Sequence, residues 1–289
     1  MKAVISIVFL LFTVLTFSQD LGKKRIDKIN KSIVKIFVEN QRMGTGFVVR
    51  EDGWIATCHH VIYPAFVWDS NKRFLKLNRI YAEFSDGEKV EIELFKPLYS
   101  NVKGFDAARA FDSAILRMKT VPKFEYMPML LGNWSDLREG DEVYVVGFPA
   151  KIKHRFISRG TVSTKFVENL RLRDKEYSRD AAWSDFTGNK GNSGGPVIKL
   201  GRNHKKDKVI GMVSFILAPN GNEAGRVYTR VQEYEKKARQ QKVPINGELQ
   251  LVLDAIEILA ESAAFNSVGV SGVLSIDYID GLLPLTNLE

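Results

Sequence analysis

The residues most suggestive of chemistry are Gly191-Asn192-Ser193-Gly194-Gly195-Pro196, a stretch too rich in glycine for a core and too polar for an ordinary strand. Glycines crowd a serine where the backbone must take positive φ or approach something closely. An attacking serine has that requirement, because backbone N–H groups must face the place where negative charge develops. If Ser193 is a nucleophile, the N–H groups of Gly191 and Ser193 are the natural oxyanion donors. Taken alone, the stretch also reads as a glycine-rich turn between two strands.

A serine hydroxyl is a weak nucleophile at neutral pH and needs a base, itself oriented by a third group. The chain has histidines at only four positions: His59, His60, His154 and His204. Residues 46–62 (GFVVREDGWIATCHHVI) read as a strand, a turn centred on Asp52-Gly53, a second strand and then the histidine pair. Further on, Asp112 stands at the mouth of the apolar run SAILRM. No apolar strand follows Asp106, its weaker rival.

With these residues in the order His60, Asp112, Ser193, the chain resembles the trypsin-like serine proteases of the chymotrypsin fold, and among them the bacterial HtrA-type branch. GTGFVV, DGWIATCHHVI, DSAILRM, GDEVYVVGFP, RGTVS, GNSGGPVI and VIGMVSF match family segments in the family's order. The resemblance covers roughly residues 27–240. It implies that His60 is the base, Asp112 its orienter and Ser193 the nucleophile. His59 falls where the family usually has a small residue. Ser214 is implied to lie near Asp112 and to pair with substrate backbone. No activation cut is implied, because Asn192 stands where trypsin zymogens carry an aspartate.

The resemblance also implies a specificity pocket with Thr187 at its floor, Ser214, Phe215 and Ile216 along one wall, and residues 225–228 along another. Arg226 and Ile216 replace common glycines. Three readings of Arg226 stay open: it prefers an acidic substrate side chain, it pairs with Glu223 or Asp185 and leaves a pocket for small aliphatic side chains, or it turns into solvent. No cofactor is implied, and no cluster of histidines and acids shows metal-ligand spacing. The single cysteine, Cys58, excludes an intrachain disulfide and reads as a small buried residue.

The fold expected is all-β: two six-stranded antiparallel barrels with a helical C-terminal extension. Residues 19–122 would form the barrel carrying His60 and Asp112, opening with a short linker or helix and a strand over 32–38. Residues 123–241 would form the barrel carrying Ser193, with its last strand at 227–231 and a helix from 233. Residues 80–84 and 89–94 alternate around Ser85-Asp86-Gly87 as a hairpin. Residues 63–79 read as an aromatic surface excursion, a lid or docking loop, and 170–180 as an exposed loop beside the cleft or a solvated hairpin. The remaining 242–289 fall outside the resemblance, with an apolar helical face over 249–260 and a strand over 268–276.

Met1-Lys2 followed by a fifteen-residue apolar run and Thr16-Phe17-Ser18 reads as a signal peptide over 1–18, too short for a membrane span. The mature protein is then periplasmic or secreted. Net charge is +8, yet residues 241–289 carry one lysine against seven acids, so the first 240 hold +14. The basic residues lie in loops without an aromatic stacking pattern, which argues against nucleic acid. The function expected is hydrolysis of protein or peptide substrates through an acyl-enzyme. A catalytically quiet binding module of the same fold and an esterase using the same triad are its rivals.

Overall fold

The computed structural model describes residues 21–68, 74–99, 101–149, 154–172, 174–186, 188, 191–216 and 271–283. The signal-peptide expectation and Thr187 lie outside the described residues, as do 225–231, the helices expected from 233 and over 249–260, and Arg226.

Helix α1 (Lys23–Ser32) leads into β1 (Ile33–Val38). Strands β2 (Gln41–Val48) and β3 (Trp54–Thr57) form a hairpin whose turn uses Gly53 at φ 89°, a left-handed conformation that favours glycine. A short helix α2 (His59–Ile62) follows β3 directly. Strands β6 (Ile80–Glu83) and β7 (Lys89–Leu94) make the expected hairpin, with Gly87 at φ 93° and the Asp86 carboxylate accepting from the Glu88 N–H. Strand β8 (Ala114–Met118) completes a closed barrel in the order β1-β2-β3-β8-β7-β6. Closure leaves no unpaired strand edge, and Phe47, Trp54, Ile55, Ile115 and Leu116 on its strands are all essentially inaccessible.

The second sheet uses β9 (Leu130–Leu131), β10 (Glu142–Gly147), β11 (Phe156–Leu172), β12 (Lys175–Ser184), β13 (Pro196–Lys199), β14 (Lys208–Ile216) and β15 (Ser271–Ser275). Its order is β13-β10-β11-β12-β15-β14-β9, and an extra β13–β14 pairing closes the first six into a ring. Both barrels are therefore six-stranded, with β9 added in parallel to β14.

The structure refines three expectations. The strand lying between β12 and β14 is Ser271–Ser275, within the 268–276 segment expected to form a strand. The second barrel thus draws a strand from beyond residue 241, and the helix after it, α5 (Asp277–Leu282), packs Ile279 and Leu282 into the core of the first barrel. Of the two readings of residues 170–180 the hairpin holds: they are the paired tips of β11 and β12, in register from Val167↔Asp180 to Leu172↔Lys175. Residues 63–77 are not wholly a surface excursion. Strands β4 (Phe66–Trp68) and β5 (Phe74–Leu77) pair there, and Phe66 is buried.

Candidate active site

The carboxylate of Asp112 is presented by a helix that the sequence reading missed. Helices α3 (Lys96–Tyr99) and α4 (Val102–Ala110) precede it, and Asn101 caps α4 by accepting from the Gly104 N–H at 2.9 Å. The C-terminus of α4 closes with Ser113 N donating to Ala108 O at 3.1 Å and Asp112 N donating to Arg109 O at 3.3 Å. Asp112 itself has φ 45°. This is a Schellman cap whose left-handed residue, usually glycine or asparagine, is the aspartate. Asp tolerates the conformation better than most side chains. The cap turns the chain so that the carboxylate points back across the barrel while Ala114 starts β8.

That carboxylate holds His60 at two points. Its Oδ1 accepts from the His60 backbone N–H at 2.9 Å, and its Oδ2 lies 2.8 Å from Nδ1. The Ser214 hydroxyl donates to the same Oδ2. Burial pushes the Asp112 pKa up, but the hydrogen bonds and charge of His60 and the bond from Ser214 outweigh it, and the net shift is downward. An ionised carboxylate only accepts, so Nδ1 carries the proton and Nε2 is the ring's basic nitrogen. The His60 side chain is 47% exposed against 12% for Asp112.

His59 has the opposite surroundings. It is 3% exposed, stacked on Tyr99 at 5.9 Å and met edge-on by Phe105 at 5.2 Å. Its Nδ1 lies 3.2 Å from the Tyr99 hydroxyl, and its buried Nε2 has no partner among the described residues. Burial lowers its pKa to about 4. The aromatic residues that read as an excursion serve in part to enclose this ring.

The glycine-rich stretch lies between the barrels, after β12 and leading into β13. Gly191 and Gly194 have φ 95° and 81°. A Cβ on Gly194 would fall 2.2 Å from the Thr45 carbonyl and from the Thr57 hydroxyl, so both backbone and space demand glycine there. The Gly194 N–H donates to Val213 O at 2.8 Å, and the Thr45 N–H donates to Ser193 O at 2.9 Å. The Thr45 hydroxyl donates to Gly191 O at 2.6 Å and accepts from the Phe148 N–H at 3.0 Å. Ser193 is thereby tied to β2 of the first barrel, and Gly194 packs against the backbone of Cys58, two residues before His60.

The wall expected to carry Arg226 lies outside the described residues. The residues paired with Phe215 and Ile216 are Gly272 and Ser271, and the Ser271 hydroxyl donates to Phe186 O at 3.2 Å, next to Thr187. β15 is thus the described strand beside β14 at this end of the barrel. Periodicity could suggest a strand over 268–276 but could not say where in the barrel it paired.

The fold drew a third residue to the histidine and aspartate. Among the described residues, Cys58, His60 and Asp112 are grouped so that one ligand atom from each lies within 4.8 Å of the others. The sequence shows no such spacing because Asp112 joins the other two only through the β3–β8 pairing.

Two closed barrels, an aspartate–histidine pair on the first and a glycine-rich serine loop of the second tied to it through Thr45, are the arrangement of a chymotrypsin-type peptidase domain. The pattern of the trypsin-like peptidase domain matches residues 44–212, more than half of the chain, and the chain belongs to that family. Its relatives are HtrA-type serine proteases. It is 28% identical over 250 residues to serine protease HTRA4 of Mus musculus, covering 82% of this chain and 45% of that protein. It is 31% identical over 157 residues to serine protease HTRA1 of Xenopus tropicalis, covering 54% and 29%. The probable periplasmic serine endoprotease DegP-like of Chlamydia trachomatis serovar D is 28% identical over 183 residues, covering 63% and 30%. The chain thus spans less than half the length of these curated relatives. Among solved structures, the inactive form of Rv3671c from M. tuberculosis H37Rv has a similar fold, with a TM-score of 0.53, 17% identity and coverage of 91% and 90%.

Proposed function

We propose that the protein is an exported serine endopeptidase that hydrolyses peptide bonds through His60, Asp112 and Ser193. The observation carrying this reading is the two-point grip of Asp112 on His60, at N and Nδ1, on a half-exposed ring. A carboxylate placed so holds one tautomer and stabilises the imidazolium when it forms. His60 Nε2 takes the Ser193 proton as the oxygen attacks the peptide carbonyl. The resulting oxyanion is met by the N–H groups of Gly191 and Ser193. The imidazolium then gives its proton to the leaving amine. Water, deprotonated by the same nitrogen, releases the acyl group. Ser214, besides holding Asp112, pairs with substrate backbone, and Thr187 with the β14 residues Phe215 and Ile216 lines the pocket.

Protein or peptide substrates follow from the family's chemistry, and export from the basic start and apolar run at the N-terminus. The test is labelling with a fluorophosphonate probe, followed by peptide-library cleavage. Wild type should be labelled at Ser193 and Ser193→Ala should not. Labelling of neither protein would favour a quiet binding module, and turnover of small esters without peptides would favour an esterase.

A further inference from the structure

The catalytic histidine and aspartate have an unusual neighbour. Cys58 is the last residue before α2 and is wholly buried. Its thiol donates to Val213 O at 3.3 Å, which turns the sulfur toward β14 and the Asp112 carboxylate. The Sγ, a ring nitrogen of His60 and a carboxylate oxygen of Asp112 all lie within 4.8 Å of one another. Ligand atoms around a tetrahedral zinc ion, bonded at about 2.0–2.3 Å, stand roughly 3.3–3.8 Å apart. The Nδ1–Oδ2 pair, 2.8 Å apart, opens slightly and the sulfur closes on it to convert this group into three protein ligands.

We propose that Cys58, His60 and Asp112 form a site for a thiophilic divalent cation of the zinc or cadmium class, and that its occupation switches the catalytic centre off. The donor set selects the ion: thiolate and imidazole suit zinc-like metals, whereas magnesium and calcium prefer oxygen alone. One thiolate and one carboxylate neutralise a doubly charged ion, which offsets the cost of placing it in a largely buried position. Entry lies on the side of the half-exposed His60 ring, which also leaves the fourth coordination position to water.

The consequence for the reaction follows from proton count. The ion bonds to Sγ, Nδ1 and a carboxylate oxygen. The thiol proton leaves to solvent, and the single imidazole proton passes from Nδ1 to Nε2. One proton is released per ion and no electron moves. Nε2 is then a donor and cannot accept the Ser193 proton, so the base is lost without any change at the serine. This inhibitory role rests on the reading of His60 as general base; the binding itself does not.

The test separates the two. Cadmium is titrated into full-length Ser193→Ala, and the ultraviolet thiolate-to-cadmium charge-transfer band is followed. The chain has one cysteine, so any such band reports Cys58. One equivalent should saturate it, and Cys58→Ala should abolish it while His204→Ala leaves it in place. No saturable band overturns the site. In the activity arm, zinc should inhibit wild type, chelator should restore it, and the same concentration of magnesium should have no effect. Sensitivity, taken as the ratio of rates with and without zinc within each protein, should fall on the order of 10–100-fold in both Cys58→Ala and Cys58→Ser. Equal sensitivity in folded variants overturns the switch. If metal-free wild type reacts with no fluorophosphonate, the protease reading fails, and the cadmium band still decides whether the site exists.

Discussion

Thr45 of the first barrel holds Gly191 of the second: its hydroxyl donates to the Gly191 carbonyl at 2.6 Å while accepting from the Phe148 N–H at 3.0 Å. One buried side chain thus fixes the backbone on which the oxyanion donors would lie. Thr45→Val keeps shape and removes the hydroxyl, leaving a buried N–H and a carbonyl short of a partner at about 1–3 kcal/mol each. Peptide kcat should fall about 10–100-fold with KM nearly unchanged, and Thr45→Ser should restore most of it. A Thr45→Val enzyme with wild-type kcat would show that this bond does not position the loop.

The Schellman cap makes Asp112→Asn a clean substitution. Asparagine suits φ 45° as well as aspartate does, so folding should survive. The neutral amide can donate where the carboxylate only accepts, and it favours the wrong His60 tautomer. Loss of kcat on the order of 10⁴ is expected. Thermal melts with rates on a standard peptide check it, and retention of more than about a tenth of wild-type rate would remove Asp112 from the reaction.

His59 predicts the acid side of the stability curve. Its folded pKa is lowered to about 4, with burial as the largest cause; Asp112 raises it, and His60 and Arg109 lower it further. Unfolded histidine titrates near 6.5. The unfolded chain therefore binds more protons between these values, so this contribution is fully present above about pH 6.5 and is lost as pH falls toward 4. The shift corresponds to about 3 kcal/mol. Urea denaturation at pH 7 and pH 4.5 should show the loss, and His59→Phe should flatten that part of the curve. An equal loss in His59→Phe would place its origin elsewhere.

The contrast between His59 and His60 also shows what the sequence could and could not disclose. The strand–turn–strand pattern before the histidines, the apolar run after Asp112 and the glycines around Ser193 were legible because each is local. The hairpin of β6 and β7 was legible for the same reason. The Schellman cap was not, because its left-handed residue is an aspartate rather than glycine. Charge of both signs left the tips of β11 and β12 open between a loop and a hairpin, since strands that extend past a barrel are solvated on both faces. Asp112 met Cys58 and His60 only through pairing distant in sequence.

The place of β15 was the least legible of all, and it makes the C-terminal segment part of the second barrel. Ser271–Ser275 pairs with β12 over Ala181↔Leu274 to Ser184↔Ser271, and with β14 over Gly211↔Ser275 to Ile216↔Ser271. Deleting 271–289 would strip hydrogen bonds from both neighbours. It would also expose the faces that Val273, Leu274, Ile276, Ile279 and Leu282 cover, all of them buried. At about 1.5–3 kcal/mol for each such side chain, the loss is comparable to the 5–15 kcal/mol that holds a typical domain together. Loss of α5 would reach the first barrel as well, through Arg50, whose guanidinium donates to Leu283 O at 3.3 Å. A chain ending at residue 270 should therefore be insoluble or lack a cooperative thermal transition, and should not react with fluorophosphonate. A soluble truncation that melts within a few degrees of the full chain and keeps its labelling would show that β15 is dispensable to the barrel.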